Sequence, residues 1–307
     1  MSRARAWPYA AVVFAACSWG TWSIWLRRAN SIGPMPAALE STVVMAVITA
    51  GSGLAALRDR SAARASWKTR AWIVWLGVSD AFNVLLFFMA YKITIGVSVL
   101  AHYLTPVLVA MASPLVLRER LAGRTVAAVA VSVVGLGVML ARSEAGIAPA
   151  ALWTSAALGA ASAFFYASNV VANKFVVHAF STAEAMFWHG VVATPLLAAF
   201  VPIHAFVHVN LRATSFLAAI ALWPGVVAGL AFIWGLRRMP AAHASALTLL
   251  EPLVAVLVGA AVFGESLGPS AIIGGGLILC GALVVVTQSA VPRTSRVIES
   301  QNATLGD

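Results

Sequence analysis

The sequence predicts an all-α polytopic membrane protein in which ten transmembrane helices form two inverted repeats of five. Three observations lead to this fold class: an apolar composition, a series of windows long enough to cross a bilayer, and a repeat at one constant offset. Of the 307 residues, 61% are hydrophobic and 10% are charged. Because soluble domains carry about 25% charged residues, the mean hydropathy of +0.92 indicates a chain that lies in a membrane.

Apolar windows of about 20 residues mark the predicted spans. They cover residues 9–27, 36–57, 72–91, 97–117, 125–141, 150–173, 185–203, 215–236, 243–263 and 270–288. These windows leave little of the chain for a soluble domain.

The second half of the chain repeats the first at an offset of 146 residues, the interval from Pro106 to Pro252. The same offset carries the turn residue Glu119 onto Glu265 and the span glycine Gly135 onto Gly281. A repeat of this length indicates two related halves. We therefore expect repeats at 1–145 and 146–290, followed by a cytoplasmic tail at 291–307. Since each half holds an odd number of spans, the second half must enter the membrane from the opposite side.

The net charge of +10 is explained by topology. Most Lys and Arg residues fall on one side of the predicted spans, so the positive-inside rule puts both termini in the cytoplasm. This placement argues against nucleic-acid binding. The two cysteines, Cys17 and Cys280, both lie inside predicted spans, so the sequence indicates neither a disulfide framework nor a metal site.

The repeated segments resemble a known family of transporters. The fourth span ends as Pro106 … Glu119-Arg120-Leu121, the ninth as Glu251-Pro252-Leu253 … Phe263-Gly264-Glu265-Ser266-Leu267, and a glycine-bearing tenth span follows. With five plus five spans, this pattern resembles the drug/metabolite transporter superfamily, EamA type, over essentially the whole chain. Tryptophan-rich spans and Ser18-Trp19-Gly20 are most similar to the aromatic amino acid exporter (YddG-like) subfamily. The resemblance implies a substrate cavity between the halves and no ATP hydrolysis.

Two prolines lie in the middle of predicted spans at equivalent positions. Pro106 and Pro252 lack an amide hydrogen, so we expect the carbonyls of His102 and Thr248 to lose their usual partners. In hydrocarbon such groups must be satisfied by protein, water or substrate. We interpret both prolines as kink or gating elements; the alternative is that they are packing kinks.

Polar and aromatic residues within the spans form stripes at helical spacing, and polar groups are costly in lipid unless they face the bundle interior. The predicted substrate-binding residues are Trp19, Ser23, Asp80, Asn83, Phe87, His102, Thr105, Tyr166, Asn169, Trp188, His189, Thr248 and Glu251. For Asn83 and Asn169 an interhelical hydrogen bond worth about 0.6 kcal/mol is an equal alternative. For Asn173, near a span end, the interhelical hydrogen bond is favoured.

The residue types in this set suit an amino acid zwitterion, which needs acceptors for its ammonium and donors for its carboxylate. Asp80 or Glu251 could receive the ammonium or a transported proton, and Trp19 or Trp188 could stack on a flat substrate. Outside the set, we expect Glu40 to pair with Arg27 or Arg28. Turn residues such as Glu119 are expected to cap helices or to pair with basic loop residues.

The sequence therefore predicts an inner-membrane bacterial exporter of small amphipathic metabolites, chiefly aromatic or other neutral amino acids, that works by alternating access around a central cavity. We expect a monomer that uses no cofactor and whose partners are a small-molecule substrate and the bilayer.

Several alternatives stay open at this stage. A carrier of lipophilic cations or drugs would rely on Asp80 or Glu251, whereas a nucleotide-sugar carrier would need Lys or Arg in the cavity. A structural or sensory membrane protein is a further alternative. An enzyme is disfavoured, since the chain lacks Gly-x-Ser-x-Gly and His-Glu-x-x-His motifs. The sequence does not decide between proton-coupled antiport and facilitated export.

Overall fold

A computed structural model describes residues 3–33, 35–57, 59, 65–140, 148–207, 209–264 and 267–288. Within these residues every regular element is helical. The predicted boundary between the halves at residues 145 and 146, the turn residue Glu265 and the tail at 291–307 lie outside the described residues.

The helices follow one another through short connections. In chain order they are α1 Arg3–Trp19, α2 Trp22–Ile32, α3 Ala37–Ala56, α4 Trp67–Ile93, α5 Ile95–His102, α6 Thr105–Val116, α7 Gly123–Leu140, α8 Pro149–Val176, α9 Thr182–Ala198, α10 Ile203–Val207, α11 Leu211–Ile220, a π-helical segment Ala221–Ala228, α12 Gly229–Leu236, α13 Ala241–Leu247, α14 Leu250–Phe263 and α15 Pro269–Gln288.

Nine helical stretches in the described part of the chain are long and apolar enough to cross a membrane, which makes this a multi-pass membrane protein. They are Ala6–Ile32, Ala37–Ala56, Trp67–Ile93, Ile95–Val116, Gly123–Leu140, Pro149–Val176, Leu211–Leu236, Ala241–Phe263 and Pro269–Thr287. The remaining predicted span, 185–203, corresponds to α9, whose 17 residues extend about 26 Å and fall short of a hydrocarbon core of about 30 Å. A count of ten spans therefore stays a prediction.

The helix boundaries repeat with the sequence. The starts of α1 and α8, of α5 and α13, and of α7 and α15 each lie 146 residues apart. Counterparts also meet, because α3 packs on α9 and α7 packs on α15. In the second pair the backbones are so close that a Cβ added to Gly135 would lie 2.7 Å from the carbonyl oxygen of Gly274. Mutual packing of equivalent helices is expected where related halves face each other, as they do in inverted-repeat transporters.

Both mid-span prolines lie at real helix breaks. The fourth span is divided between α5, which ends at His102, and α6, which begins at Thr105, and the ninth is divided between α13 and α14 in the same way. Pro106 and Pro252 lie in the first turn of the second helix of each pair, where a missing amide hydrogen costs nothing.

The carbonyls beside these prolines lose their usual amide donors, and other groups of the protein satisfy both of them. The Thr105 hydroxyl donates to the His102 carbonyl at 2.7 Å, and the Glu251 amide donates to the Thr248 carbonyl at 2.9 Å. A tight turn at each break supplies these donors, so the breaks expose no unsatisfied backbone acceptor at these two positions.

Candidate functional site

A cavity of about 260 Å³ lies inside the bundle. Its walls come from both halves of the chain. The lining residues are Trp19, Trp22, Val44, Met45, Ile48, Asp80, Asn83, Val84, Phe87, Phe88, His102, Tyr166, Asn169, Asn173, Met186, His189, Ile220, Pro224, Gly225, Gly229, Phe232, Ile233 and Glu251. Nine of the thirteen side chains predicted to bind substrate are therefore brought together: Trp19, Asp80, Asn83, Phe87, His102, Tyr166, Asn169, His189 and Glu251.

The other four predicted side chains do not line this cavity. The hydroxyls of Thr105 and Thr248 each donate at 2.7 Å to a carbonyl three residues earlier in the chain, which uses them in the turns at the helix breaks. Ser23 is buried beside the lining residue Trp22. Trp188 is 42% exposed and lines a separate cavity with Phe187. Consecutive residues of a helix point about 100° apart, so Trp188 points away from the central cavity when His189 faces it.

Asp80 and His189 form an acid–base pair in the wall of the cavity. Nδ1 of His189 lies 2.9 Å from the Ala185 carbonyl, and its Nε2 lies 3.2 Å from Oδ2 of Asp80. Since a carbonyl oxygen only accepts hydrogen bonds, Nδ1 must carry a hydrogen. Nδ2 of Asn83 approaches the other Asp80 oxygen at 3.4 Å.

Two local features place this pair. A capping box begins α9, with the Ser181 hydroxyl accepting from the Glu184 amide at 3.0 Å and the Glu184 carboxylate accepting from the Ser181 amide at 2.9 Å. Gly77 lets α9 approach α4 closely, because a Cβ there would lie 2.6 Å from the His189 carbonyl oxygen and 2.5 Å from Cβ of Val192. Asp80 follows Gly77 by three residues and so lies on the same face of α4.

His102 is held by a polar partner and by two rings. Oγ of Ser162 lies 2.9 Å from Nδ1 of His102 and 2.9 Å from both the backbone and the side-chain oxygen of Asn83. The imidazole stacks on Tyr166, with ring centroids 5.4 Å apart and planes 8° apart, and its centroid lies 4.6 Å from that of Phe87. His102 is thus part of an aromatic wall, and its hydrogen bond links α5 to α8.

Glu251 supplies a second carboxyl group to the cavity. It lies in the first turn of α14, where the helix N-terminus favours a negative charge, and the Tyr103 hydroxyl lies near its carboxyl group. Tyr166 is close enough to interact electrostatically with both Asp80 and Glu251. The cavity therefore carries two carboxyl groups and two imidazoles, and none of its lining residues is Lys or Arg.

Trp19 is fixed by a π-helical segment of the other half. Its indole nitrogen donates to the Pro224 carbonyl at 2.8 Å, and its ring centroid lies 5.0 Å from that of Phe232. Single-turn π segments occur often at functional sites, because they reorient one turn of a helix. The hydrogen bond thus joins two lining residues from different halves of the chain.

Sequence reasoning missed several lining residues. Trp22 follows Trp19 by three residues and Asn173 follows Asn169 by four, so helical spacing could have indicated both. Asn173 is 3% exposed; its amide nitrogen donates to Oδ1 of Asn169 at 2.9 Å, and its own Oδ1 has no partner among the described residues. The apolar contributions of α3 and α12, such as Met45 and Phe232, carry no signal that distinguishes them from other span residues.

Two Lys–Glu ion pairs of the described residues lie outside the cavity. Glu40 pairs with Lys92 at 2.9 Å, which corrects the expected pairing with Arg27 or Arg28. The expectation for Glu119 is confirmed: it pairs with Lys174 at 3.1 Å and accepts a hydrogen bond at 2.8 Å from the Ala241 amide at the start of α13. This contact joins the turn before α7 to α8 and α13. Within the described ranges no group of three His, Cys, Asp or Glu residues could hold a metal ion.

Comparisons with known proteins also divide the chain into two similar halves. A family model described as the EamA-like transporter family matches twice, over residues 6–141 and 153–287. An uncharacterized transporter of Archaeoglobus fulgidus is 30% identical over 213 residues, which cover 68% of this chain and 74% of that protein. The uncharacterized transporter YwfM of Bacillus subtilis is 39% identical over 84 residues, 26% of this chain and 27% of that protein.

The fold is also seen in a crystal structure of another protein. It matches with a TM-score of 0.76 at 21% sequence identity and covers 92% of this chain and 97% of its own. At this identity the likeness shows the fold alone.

Proposed function

We propose, from the premise that this chain belongs to the EamA-like transporter family, that it exports aromatic and other neutral amino acids across a bacterial inner membrane by alternating access around the cavity. As a multi-pass transporter it has a small-molecule substrate and the bilayer as partners. Beyond family membership, we propose the substrate, the outward direction of transport, a monomeric state and a cytoplasmic location for both termini.

The Asp80–His189 pair is the observation that carries the substrate proposal. In a zwitterion an ammonium and a carboxylate lie close together, and a site that binds it needs an acid and a base at similar separation. Asp80 can take the ammonium, and the His189 imidazolium can take the carboxylate. The rings of Trp19, Trp22 and Phe87 offer stacking surfaces to an apolar or aromatic side chain.

Cavity size and charge favour a small substrate. A volume of about 260 Å³ lies just below the usual range of about 300–1,000 Å³ for ligand pockets. A nucleotide sugar carries two phosphates, which are usually bound by Arg or Lys, and the lining has neither. An amino acid meets both constraints.

Alternating access needs elements that join and release the two halves. The Glu119 contact with Lys174 and α13 lies at the end that the positive-inside rule assigns to the cytoplasm, and we propose that it closes that end. The helix breaks at Pro106 and Pro252 lie at the level of Glu251 and His102, where bending would change the shape of the cavity.

Uptake by proteoliposomes that contain the purified chain tests the proposal. We expect labelled phenylalanine and tryptophan to be carried and a labelled sugar to be excluded. Asp80→Asn should reduce phenylalanine flux to background, whereas Asp59→Asn, a carboxylate outside the central cavity, should retain it. The absence of flux for every amino acid tested would refute the substrate proposal.

Transport of a lipophilic cation is the second candidate. The two carboxyl groups without a Lys or Arg in the lining favour it, since aromatic rings and carboxylates together bind organic cations. In that case Glu251→Gln should abolish cation flux, and amino acids should not compete with the cation.

A further inference from the structure

We infer that the Asp80–His189 pair holds one exchangeable proton, which stays in place when a neutral zwitterion binds and leaves when a monocationic arylalkylamine binds. The site would then exchange one such amine for one proton while it carries amino acids without proton exchange. This inference rests on the proposed function, because it places substrate at the same pair.

The hydrogen-bond geometry fixes the number of protons. His189 already uses the hydrogen on Nδ1 for the Ala185 carbonyl at 2.9 Å. Its Nε2 lies 3.2 Å from Oδ2 of Asp80, and two atoms with only lone pairs would repel each other at that distance. One proton must therefore lie between them, either as an imidazolium with a carboxylate or as a neutral imidazole with a carboxylic acid. In both forms the pair is neutral overall.

A zwitterion can open this pair without changing its proton count. The substrate ammonium takes the place of the imidazolium beside Asp80, and the imidazolium turns its Nε2 hydrogen to the substrate carboxylate. Each charge finds an opposite charge, so the cavity gains no net charge and the proton stays on His189. A buried charge is tolerated only when it is paired in this way.

An arylalkylamine has no carboxylate, so it leaves the His189 imidazolium without an anionic partner. The amine arrives with one positive charge, its ammonium pairs with Asp80, and the proton on Nε2 of His189 has no acceptor. Loss of that proton to water leaves a neutral imidazole beside an ammonium–carboxylate pair. One cation has entered and one proton has left, so the charge of the cavity is unchanged.

Other ionisable groups face the pair from several helices. They are Tyr166 on α8, His102 on α5 and Glu251 on α14, and Tyr103 lies near Glu251. His102 already has Ser162 as a partner. The residues of α3 and α12 that line the cavity are apolar or glycine. Glu251 is therefore the main rival for the exchanged proton.

Titration calorimetry on the full-length chain in detergent tests the inference with two matched ligands, phenylalanine and 2-phenylethylamine, which differ only in the carboxylate. Repeating each titration in buffers of different ionisation enthalpy gives the number of protons released. We expect none for phenylalanine and one for the amine. The dissociation constant of the amine should rise about tenfold per unit fall in pH, since one proton competes with one ligand, whereas that of phenylalanine should stay flat.

Three variants test which residue carries the exchanged proton. In His189→Gln the amide donates to Asp80 without a titratable proton, so proton release on amine binding should fall to zero. His243→Gln replaces a half-buried histidine outside the cavity, bonded to Tyr9 and Thr125, and should keep the wild-type count. Loss of proton release in Glu251→Gln, with release retained in His189→Gln, would assign the proton to Glu251 instead. The pH dependence of the wild-type protein supplies the same information if His189→Gln fails to fold.

The possible failures are distinct. Amine binding without proton release, equal proton release by both ligands, or release that survives in His189→Gln and vanishes in Glu251→Gln would each overturn the inference. Failure to bind the amine would overturn it as well. Absence of phenylalanine flux would instead refute the proposed function, and the amine titration would still decide whether the pair exchanges a proton.

Discussion

Gly77→Ala should separate Asp80 from His189 without touching either residue. The added Cβ would lie 2.6 Å from the His189 carbonyl oxygen and 2.5 Å from Cβ of Val192, and ordinary contacts begin at 3.4 Å. Both obstructing atoms belong to or adjoin the backbone of α9, so a rotamer change cannot relieve the overlap. The helix α9 has to move away from α4.

The size of the effect follows from these distances. Moving the closer contact from 2.5 Å to 3.4 Å requires a shift of about 0.9 Å, which would lengthen the contact of 3.2 Å between Asp80 and His189 to about 4 Å, beyond hydrogen-bonding distance. Overpacking of this kind costs about 1–3 kcal/mol of stability. We therefore expect a lower melting temperature together with loss of the shared proton.

Gly137→Ala is the matched control. Gly137 also lies inside a helix, α7, but a Cβ there would meet nothing within 4 Å. Because alanine favours a helix over glycine by about 1 kcal/mol, this variant should be as stable as wild type or slightly more stable. Thermal unfolding in detergent and proton release on 2-phenylethylamine binding are the two measurements. If Gly77→Ala matches Gly137→Ala in both, the close approach of α4 and α9 does not position the pair.

Three further variants test other contacts. Lys92→Met leaves the Glu40 carboxylate, which is 1% exposed, without its cation and should cost about 3 kcal/mol in thermal unfolding. Glu119→Gln removes the charge that attracts Lys174, so the start of α13 should take up deuterium faster, by about fivefold for a loss of about 1 kcal/mol. Trp19→Phe removes the indole donor to the π segment and should lower stability by about 1 kcal/mol, measured by thermal unfolding.

Each of these has its own control. Adding Glu40→Gln to Lys92→Met should recover part of the lost stability, and a full loss in the double variant would contradict the pairing argument. Deuterium uptake in α15 should not respond to Glu119→Gln; an equal rise there would indicate general loosening. Trp188→Phe changes an indole outside the cavity, so a stability loss equal to that of Trp19→Phe would show that the hydrogen bond is not the cause.

The sequence predicted much of the cavity because helical spacing relates residues of one helix. Asp80, Asn83 and Phe87 share a face of α4 by period alone, and all three line the cavity. Spacing does not determine how far each helix is rotated about its own axis relative to its neighbours. Of the neighbours Trp188 and His189 only the second faces inward, since rotation of α9 is set by its contact with Gly77.

The sequence did not predict which side chains of different helices contact each other. Glu40 was expected to pair with Arg27 or Arg28 and pairs with Lys92. Asn173 was expected to make an interhelical hydrogen bond; it bonds to Asn169 of its own helix and lines the cavity. The prolines were placed correctly along the chain, yet the carbonyls beside them are satisfied by turn donors. Such outcomes depend on local backbone direction, which a residue pattern does not specify.

By itself the sequence determined the membrane class, the repeat at a fixed offset and the family, because these depend on composition and on spacing along one chain. The tertiary structure alone decided that Asp80 faces His189 across two helices at 3.2 Å. Lipid tails and Leu side chains are equally apolar, so an apolar helix can be rotated about its axis with little change in hydrophobic free energy. Steric fit at glycines such as Gly77 selects one rotation, and that choice brings an acid and a base together in the cavity.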